Sequence, residues 1–192
     1  MNTKPVAARV SHALLAFLLL YAASVTRAQD ARLQFNHLDR LASRASESVE
    51  ITLNDVQAQF LARLISLNKT DQTKIKELLS KLKGIYVRGF EFEREGEYSD
   101  ADIEAIRAQL RSPGWERIVE TRSRNNNSDE VYFMSRNDQM SGFAAISTEP
   151  RKICVINIVG PMDLEDMTLL DREFHLMRCG NSNIGRQRRT TR

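Results

Sequence analysis

Acid–base chemistry needs paired carboxylates, or a carboxylate beside a histidine. Asp163, Glu165 and Asp166, followed by His175, supply both types within a short span. Such acids could exchange protons with a substrate or hold a cation. Their spacing argues against a site shared with the histidine. In a helix, Asp163 and His175 would stand ~18 Å apart along the axis. The three acids also open a helical pattern, where carboxylates cap free N–H groups and suit the positive end of the helix dipole. Capping accounts for every residue of the cluster and is the favoured reading. His37 lies at the other end of the chain, and neither histidine has a partner at metal-ligand spacing. Glu91, Glu93, Glu95 and Glu97 alternate with other residues, as on a solvated strand face; a weak cation site is the lesser reading. The sequence holds no Gly-rich phosphate loop, no Gly-x-Ser-x-Gly elbow and no Cys-x-x-Cys pair. No catalytic, cofactor or metal residue is assigned, and an enzyme is the less favoured class.

Three further groups of residues could bind rather than react. Asn157 interrupts the apolar run Ile153–Val159, where it could line a pocket; pairing with a neighbour is the commoner use of such a residue. Tyr86 and Arg88 should project from the sheet face opposite Ile85 and Val87, and with Trp115 could form an exposed binding surface. Arg178, Arg186, Arg188, Arg189 and Arg192 make a basic tail without acids, suited to weak contact with an anionic surface. Residues 180–192 have too little apolar content to fold and read as disordered.

The chain opens with an address. Lys4 and Arg9 precede the apolar core Ala13–Val25, and Thr26-Arg27-Ala28 places small residues where a signal peptidase cuts. The expected organisation is a cleavable export signal over 1–28, one domain over 29–179 and the tail 180–192. The expected location is periplasmic or secreted. Removing Lys4, Arg9 and Arg27 leaves 25 basic and 25 acidic residues, so the mature chain is formally neutral. Export and the acidic balance of the body both argue against a nucleic-acid partner.

Export also raises the question of Cys154 and Cys179, because an exported chain with an even cysteine count can form a disulfide. The strand beyond Cys154 runs ~17 Å. A helix returning from Leu164 to Met177 covers ~20 Å, back to the level of Cys154 but one layer above the sheet. Layers lie ~10 Å apart, whereas bridged Cα atoms lie within ~7 Å. The distance favours a buried, unbridged Cys154 and a free Cys179. A bridge requires the chain to dip toward the sheet after Met177.

The elements that position these residues follow from periodicity. Arg151–Gly160 holds a short, continuous, β-branched run, which marks a central strand covered on both faces. Residues 36–46 suggest a short helix with Leu38, Leu41, Ala42 and Ala45 on one side. Ser48–Leu53 alternates as a half-buried strand. Asn54 with Gln57 caps a helix whose buried stripe is Val56, Phe60, Leu61, Leu64 and Leu67. A second helix presents Ile75, Leu78, Leu79 and Leu82 and stops at Gly84. In the strand over 85–93, Ile85 and Val87 have the opposite parity to Phe90 and Phe92, so a bulge at Gly89 is expected. Ser99 with Asp102 caps a helix carrying Ile103, Ile106 and Leu110. Four short strands follow, near 115–122, 130–136, 141–148 and 152–159. Asp163 with Asp166 opens a last helix, with Leu164, Met167, Leu170, Phe174 and Met177 toward the sheet. The expected class is α+β: a two-layer domain with a mostly antiparallel sheet of about six strands and helices packed on one face.

With this layout, the chain resembles an exported bacterial family catalogued as domain of unknown function 4252. The residues that carry the likeness are Leu38-Asp-Arg-Leu-Ala42, Val49-Glu-Ile-Thr-Leu53, Leu82–Phe92 and Ile153–Gly160. The likeness spans roughly residues 36–176. It implies no activity and no functional residues. Genes of that family stand beside extracytoplasmic sigma factors and their anti-sigma partners, which implies an accessory part in envelope signalling. The favoured expectation is a non-catalytic exported module that binds a protein or envelope component. The alternative is a small exported hydrolase or cation-dependent enzyme using the acids near Asp163.

Overall fold

A strand that is apolar on both sides must have neighbours on both edges and cover on both faces. The computed structural model, which describes residues 31–64, 70–136 and 138–174, supplies both. Strand β6 (Lys152–Met162) lies inside a six-stranded sheet of order β1-β2-β6-β5-β4-β3, and every neighbouring pair is antiparallel. The other strands are β1 (Glu47–Asn54), β2 (Gly84–Glu91), β3 (Trp115–Arg122), β4 (Ser128–Arg136) and β5 (Gln139–Glu149). The helices are α1 (Asp55–Leu64), α2 (Thr70–Lys81), α3 (Asp100–Leu110) and α4 (Leu164–Phe174), preceded by a 3-10 helix at Asn36–Leu41. The α+β class holds, with the sheet antiparallel throughout.

The layering differs from the expected one-sided arrangement. On β6, Ile153, Val155 and Val159 join one apolar cluster and Cys154, Ile156 and Ile158 join another. The first cluster takes its cover from α3, the 3-10 helix and residues 31–35. The second takes its cover from α1, α2 and α4. Helices therefore lie on both faces. The reason is legible in β2, where Ile85 and Val87 enter the second cluster while Tyr86 and Phe90 enter the first. Two buried faces need no bulge, and β2 runs in unbroken register from Gly84 to Glu91 against both neighbours. The expected bulge at Gly89 is absent.

Local signals set the helix ends. Asn54 and Gln57 exchange backbone and side-chain bonds of 2.9 Å at the start of α1. Asp163 and Asp166 do the same for α4. Gly160 has φ +135°, and a Cβ there would sit 2.9 Å from Leu82 Cα, so only glycine fits this crossing at the end of α2. Cys154 is buried and disulfide-bonded, so the unbridged state favoured on distance does not describe it. Cys179, the expected export signal 1–28 and the tail 180–192 lie outside the described residues.

Residues 31–35 form an extended segment that carries Ala31, Leu33 and Phe35 into the first cluster. Asn157, fully buried, holds it in place. Its Oδ1 accepts from Leu33 N–H at 2.9 Å, and its Nδ2 donates to Ala31 O at 2.9 Å and Phe143 O at 3.1 Å. Asn157→Ala strands Leu33 N–H and Ala31 O in an apolar layer. Since each buried group left unpaired costs ~1–3 kcal/mol, urea denaturation should show a loss of roughly 3 kcal/mol. A change below about 0.5 kcal/mol, the range of neutral surface substitutions, would rule out this anchoring role.

Candidate functional site

Two regions stand out: a polar groove over α3, and an apolar face on α1. The groove follows from how α3 is held. Ser99 and Asp102 form the expected capping box, with Ser99 N–H donating to the Asp102 carboxylate at 2.9 Å. Asp102 is buried and also receives the Ser99 hydroxyl and Arg40. Burial by itself raises its pKa, but the bonds from Ser99 and the charges of Arg40 and His37 outweigh that and hold the carboxyl below its ordinary range. The ring of His37 hydrogen-bonds with Asp102 O at 3.1 Å, so this histidine braces the helix start.

About a turn and a half further on, at Arg107, α3 is pinned to the sheet. Glu130 occupies an inward position of β4 with 1% exposure. Its Oε1 accepts from Arg107 Nε at 2.9 Å, and its Oε2 accepts from the Tyr132 hydroxyl at 2.5 Å. Burial pushes the Glu130 carboxyl up, but hydrogen bonds from Arg107 and Tyr132, with the charges of Arg107 and Arg117, more than offset it and hold the group low. Burial, then the bond to Glu130, pushes the Tyr132 phenol up to about 12. Tyr98 is likewise pushed up to about 12, by burial and then by Asp100 and Glu149.

Beside this network lies an open groove of about 790 Å3 between the start of α3 and the β3–β4 and β5–β6 turns. Glu95, Tyr98, Asp100, Glu104, Arg107 and Arg122 supply its polar wall. Its hydroxyls come from Tyr98, Ser123, Ser128 and Thr148, and none of its lining residues is a histidine. A serine without a base is a weak nucleophile. The arginines are engaged already, Arg107 by Glu130 and Arg122 by Glu120 at 2.6 Å. The wall can hydrogen-bond a polar molecule.

The residues singled out from sequence disperse. Asp163 and Asp166 are spent on the α4 cap, and Glu165 pairs with Lys74. Glu91 lies 3.4 Å from Lys152. His175 and the tail arginines Arg178, Arg186, Arg188, Arg189 and Arg192 lie outside the described residues. Among the described residues, no cluster of three or more His, Cys, Asp or Glu side chains could hold a metal. Tyr86 and Trp115 do share one sheet face, but it is the covered one: both are buried in the first cluster. Arg88 beside them pairs with Glu50 at 2.7 Å. The exposed surface expected of this trio does not form.

The face on α1 was not expected. Val56 and Phe60, placed in the buried stripe by periodicity, are 69% and 61% exposed. Ala58 and Ala62 pack inward instead. Leu61 is half-buried against the second cluster, and the side chains of Leu64 and Leu67 lie outside the described set. Leu164, expected toward the sheet from α4, is exposed as well. The Glu130 network also escaped sequence reasoning. Its signal is an acid at the inward parity of Tyr132 and Met134, a position that demands a buried partner.

A family model described as Domain of unknown function (DUF4252) matches residues 46–170. No curated protein matches the chain. The match begins at β1 and leaves out the segment held by Asn157.

Removing one partner of a buried ion pair costs ~3–5 kcal/mol, so Glu130→Ala should lower unfolding free energy by about 3 kcal/mol. The pH dependence has a definite sign. Glu130 and Asp102 have lowered folded-state pKa values, so their contribution is complete above ~4.3 and fades as acid reaches the folded values. Tyr132 titrates near 12 against ~10 unfolded, so its contribution is complete below pH ~10 and is lost between 10 and 12. Denaturation across pH should show both losses, and Glu130→Ala should reduce the Tyr132 share of the alkaline one while leaving that of Tyr98.

Proposed function

Because the chain belongs to the family described as domain of unknown function (DUF4252), we propose from its own surface that it is a non-catalytic exported module that binds a partner protein in the cell envelope. The observation that carries this reading is the orientation of α1. A helix docked through alanines, with Val56 and Phe60 turned to solvent at i, i+4, inverts the usual amphipathic arrangement. The aromatic anchor and its aliphatic neighbour suit an apolar groove of a partner. Periplasmic or secreted placement is supported by the charged, apolar and small-residue order of residues 4–28. The accessory part in envelope signalling is supported by the family resemblance. The hydrolase alternative would need the acids near Asp163 free, and they are committed to a cap and an ion pair.

A photo-crosslinking residue placed at position 60 tests the reading in cells. The expected result is a discrete adduct in the envelope fraction, on a protein whose N-terminus is at or near Gln29. Val56→Lys should abolish the adduct while changing stability by less than about 0.5 kcal/mol. Cytoplasmic retention, or no adduct beyond that of a control residue at the exposed Glu93, would overturn it.

A further inference from the structure

Strand β3 is an edge strand whose central residues, Ile118 and Val119, are adjacent, apolar and 55% and 41% exposed. Its register against β4 shifts between Arg117 and Val119, so Ile118 is an extra residue. The shift changes which side chains share a face. Arg117 lies opposite Tyr132 and Glu120 lies opposite Glu130, on the face of the first cluster. Arg117 and Glu120 are therefore neighbours on one face, as their 2.7 Å ion pair shows. Glu116 and Thr121 lie opposite Phe133 and Asp129, on the other face.

From this pattern we propose that β3 pairs antiparallel with β3 of a second copy, across a two-fold axis between Ile118 and Val119 and perpendicular to the sheet. Such an axis keeps each face on its own side, so facing residues must share a face. The bulge meets that requirement for Arg117 with Glu120 and for Glu116 with Thr121. Arg117 meets Glu120 of the second copy, Glu116 meets Thr121, and Ile118 meets Val119. The Arg117–Glu120 ion pair occurs twice by the symmetry, and the exposed apolar residues are buried at the centre. An axis through Glu120 would instead oppose two carboxylates, which is destabilising. The pairing satisfies the free backbone groups of an edge strand and joins two sheets into one of twelve strands. It uses the edge opposite β1 and is independent of the partner face on α1.

Sedimentation of the mature protein at rising concentration tests the proposal. The expected result is a shift to twice the chain mass. Ile118→Lys should remove the dimer while leaving the monomer folded by circular dichroism. Arg117→Glu places Glu against Glu across the axis, and Glu120→Arg places Arg against Arg, so each should weaken self-association at least about tenfold. Mixing those two variants restores Glu–Arg pairs at both positions, and the mixture should form a heterodimer. An intrachain role of the same two residues gives no such rescue. A wild-type monomer, with the bulge and charges keeping the edge single, would overturn the proposal. So would dimers of Ile118→Lys, or a mixture that stays monomeric.

Discussion

A buried carboxamide must have its donors and acceptors met, and the arrangement of the first core depends on how Asn157 meets that demand. Asn157 sits in the strand that both clusters share, on a face otherwise made of Ile153, Val155 and Val159. A side-chain amide has the same donor and acceptor as a peptide unit. Asn157 therefore acts as a short piece of strand edge projecting upward from the sheet, and residues 31–35 pair with it. Gln109 of α3 repeats the device one residue on, accepting from Gln34 N–H at 2.8 Å and donating to Gln34 O at 3.0 Å. Two carboxamides, one below and one beside, give an isolated extended segment the backbone partners it would otherwise lack. Gly142 leaves the room: a Cβ there would fall 2.6 Å from Ala31 Cβ.

The same face shows how charge is managed under a helix. Burying a carboxylate is unfavourable unless it is paired and hydrogen-bonded. Asp102 and Glu130 meet this condition at two points along α3, the first with Ser99 and Arg40, the second with Arg107 and Tyr132. Each ties the helix to another element, Asp102 to the 3-10 helix and Glu130 to β4. Polar groups that could pass for catalytic machinery are thus consumed in fixing α3. Among the described residues, the groove wall, the outward side of α1 and the sheet edges lie at the surface. The binding role proposed above rests on the apolar positions at the outer side of α1.

The sequence by itself determined the elements and their order, because those depend on local chemistry. The caps at Asn54, Ser99 and Asp163, the apolar run of β6 and the antiparallel succession from β3 to β6 are all set by residues within a few positions of one another; Gly84, expected to stop α2, instead opens β2 three residues after the helix ends at Lys81. The inward-facing residues of α2 and α3 were likewise legible, since a 3.6-residue period with large aliphatics has one buried solution there. Tertiary structure decided what periodicity leaves open. A helix with two apolar stripes, alanines on one and Val56 with Phe60 on the other, can dock by either; packing against α2 and β1 selected the alanines. A strand with apolar residues at both parities can be bulged or buried twice, and the cover on both sides of β2 selected the second. Asn157 and Glu130 read locally as a break in a run and a misplaced acid. Their partners lie 124 and 23 residues away, in contacts that only the folded chain brings together.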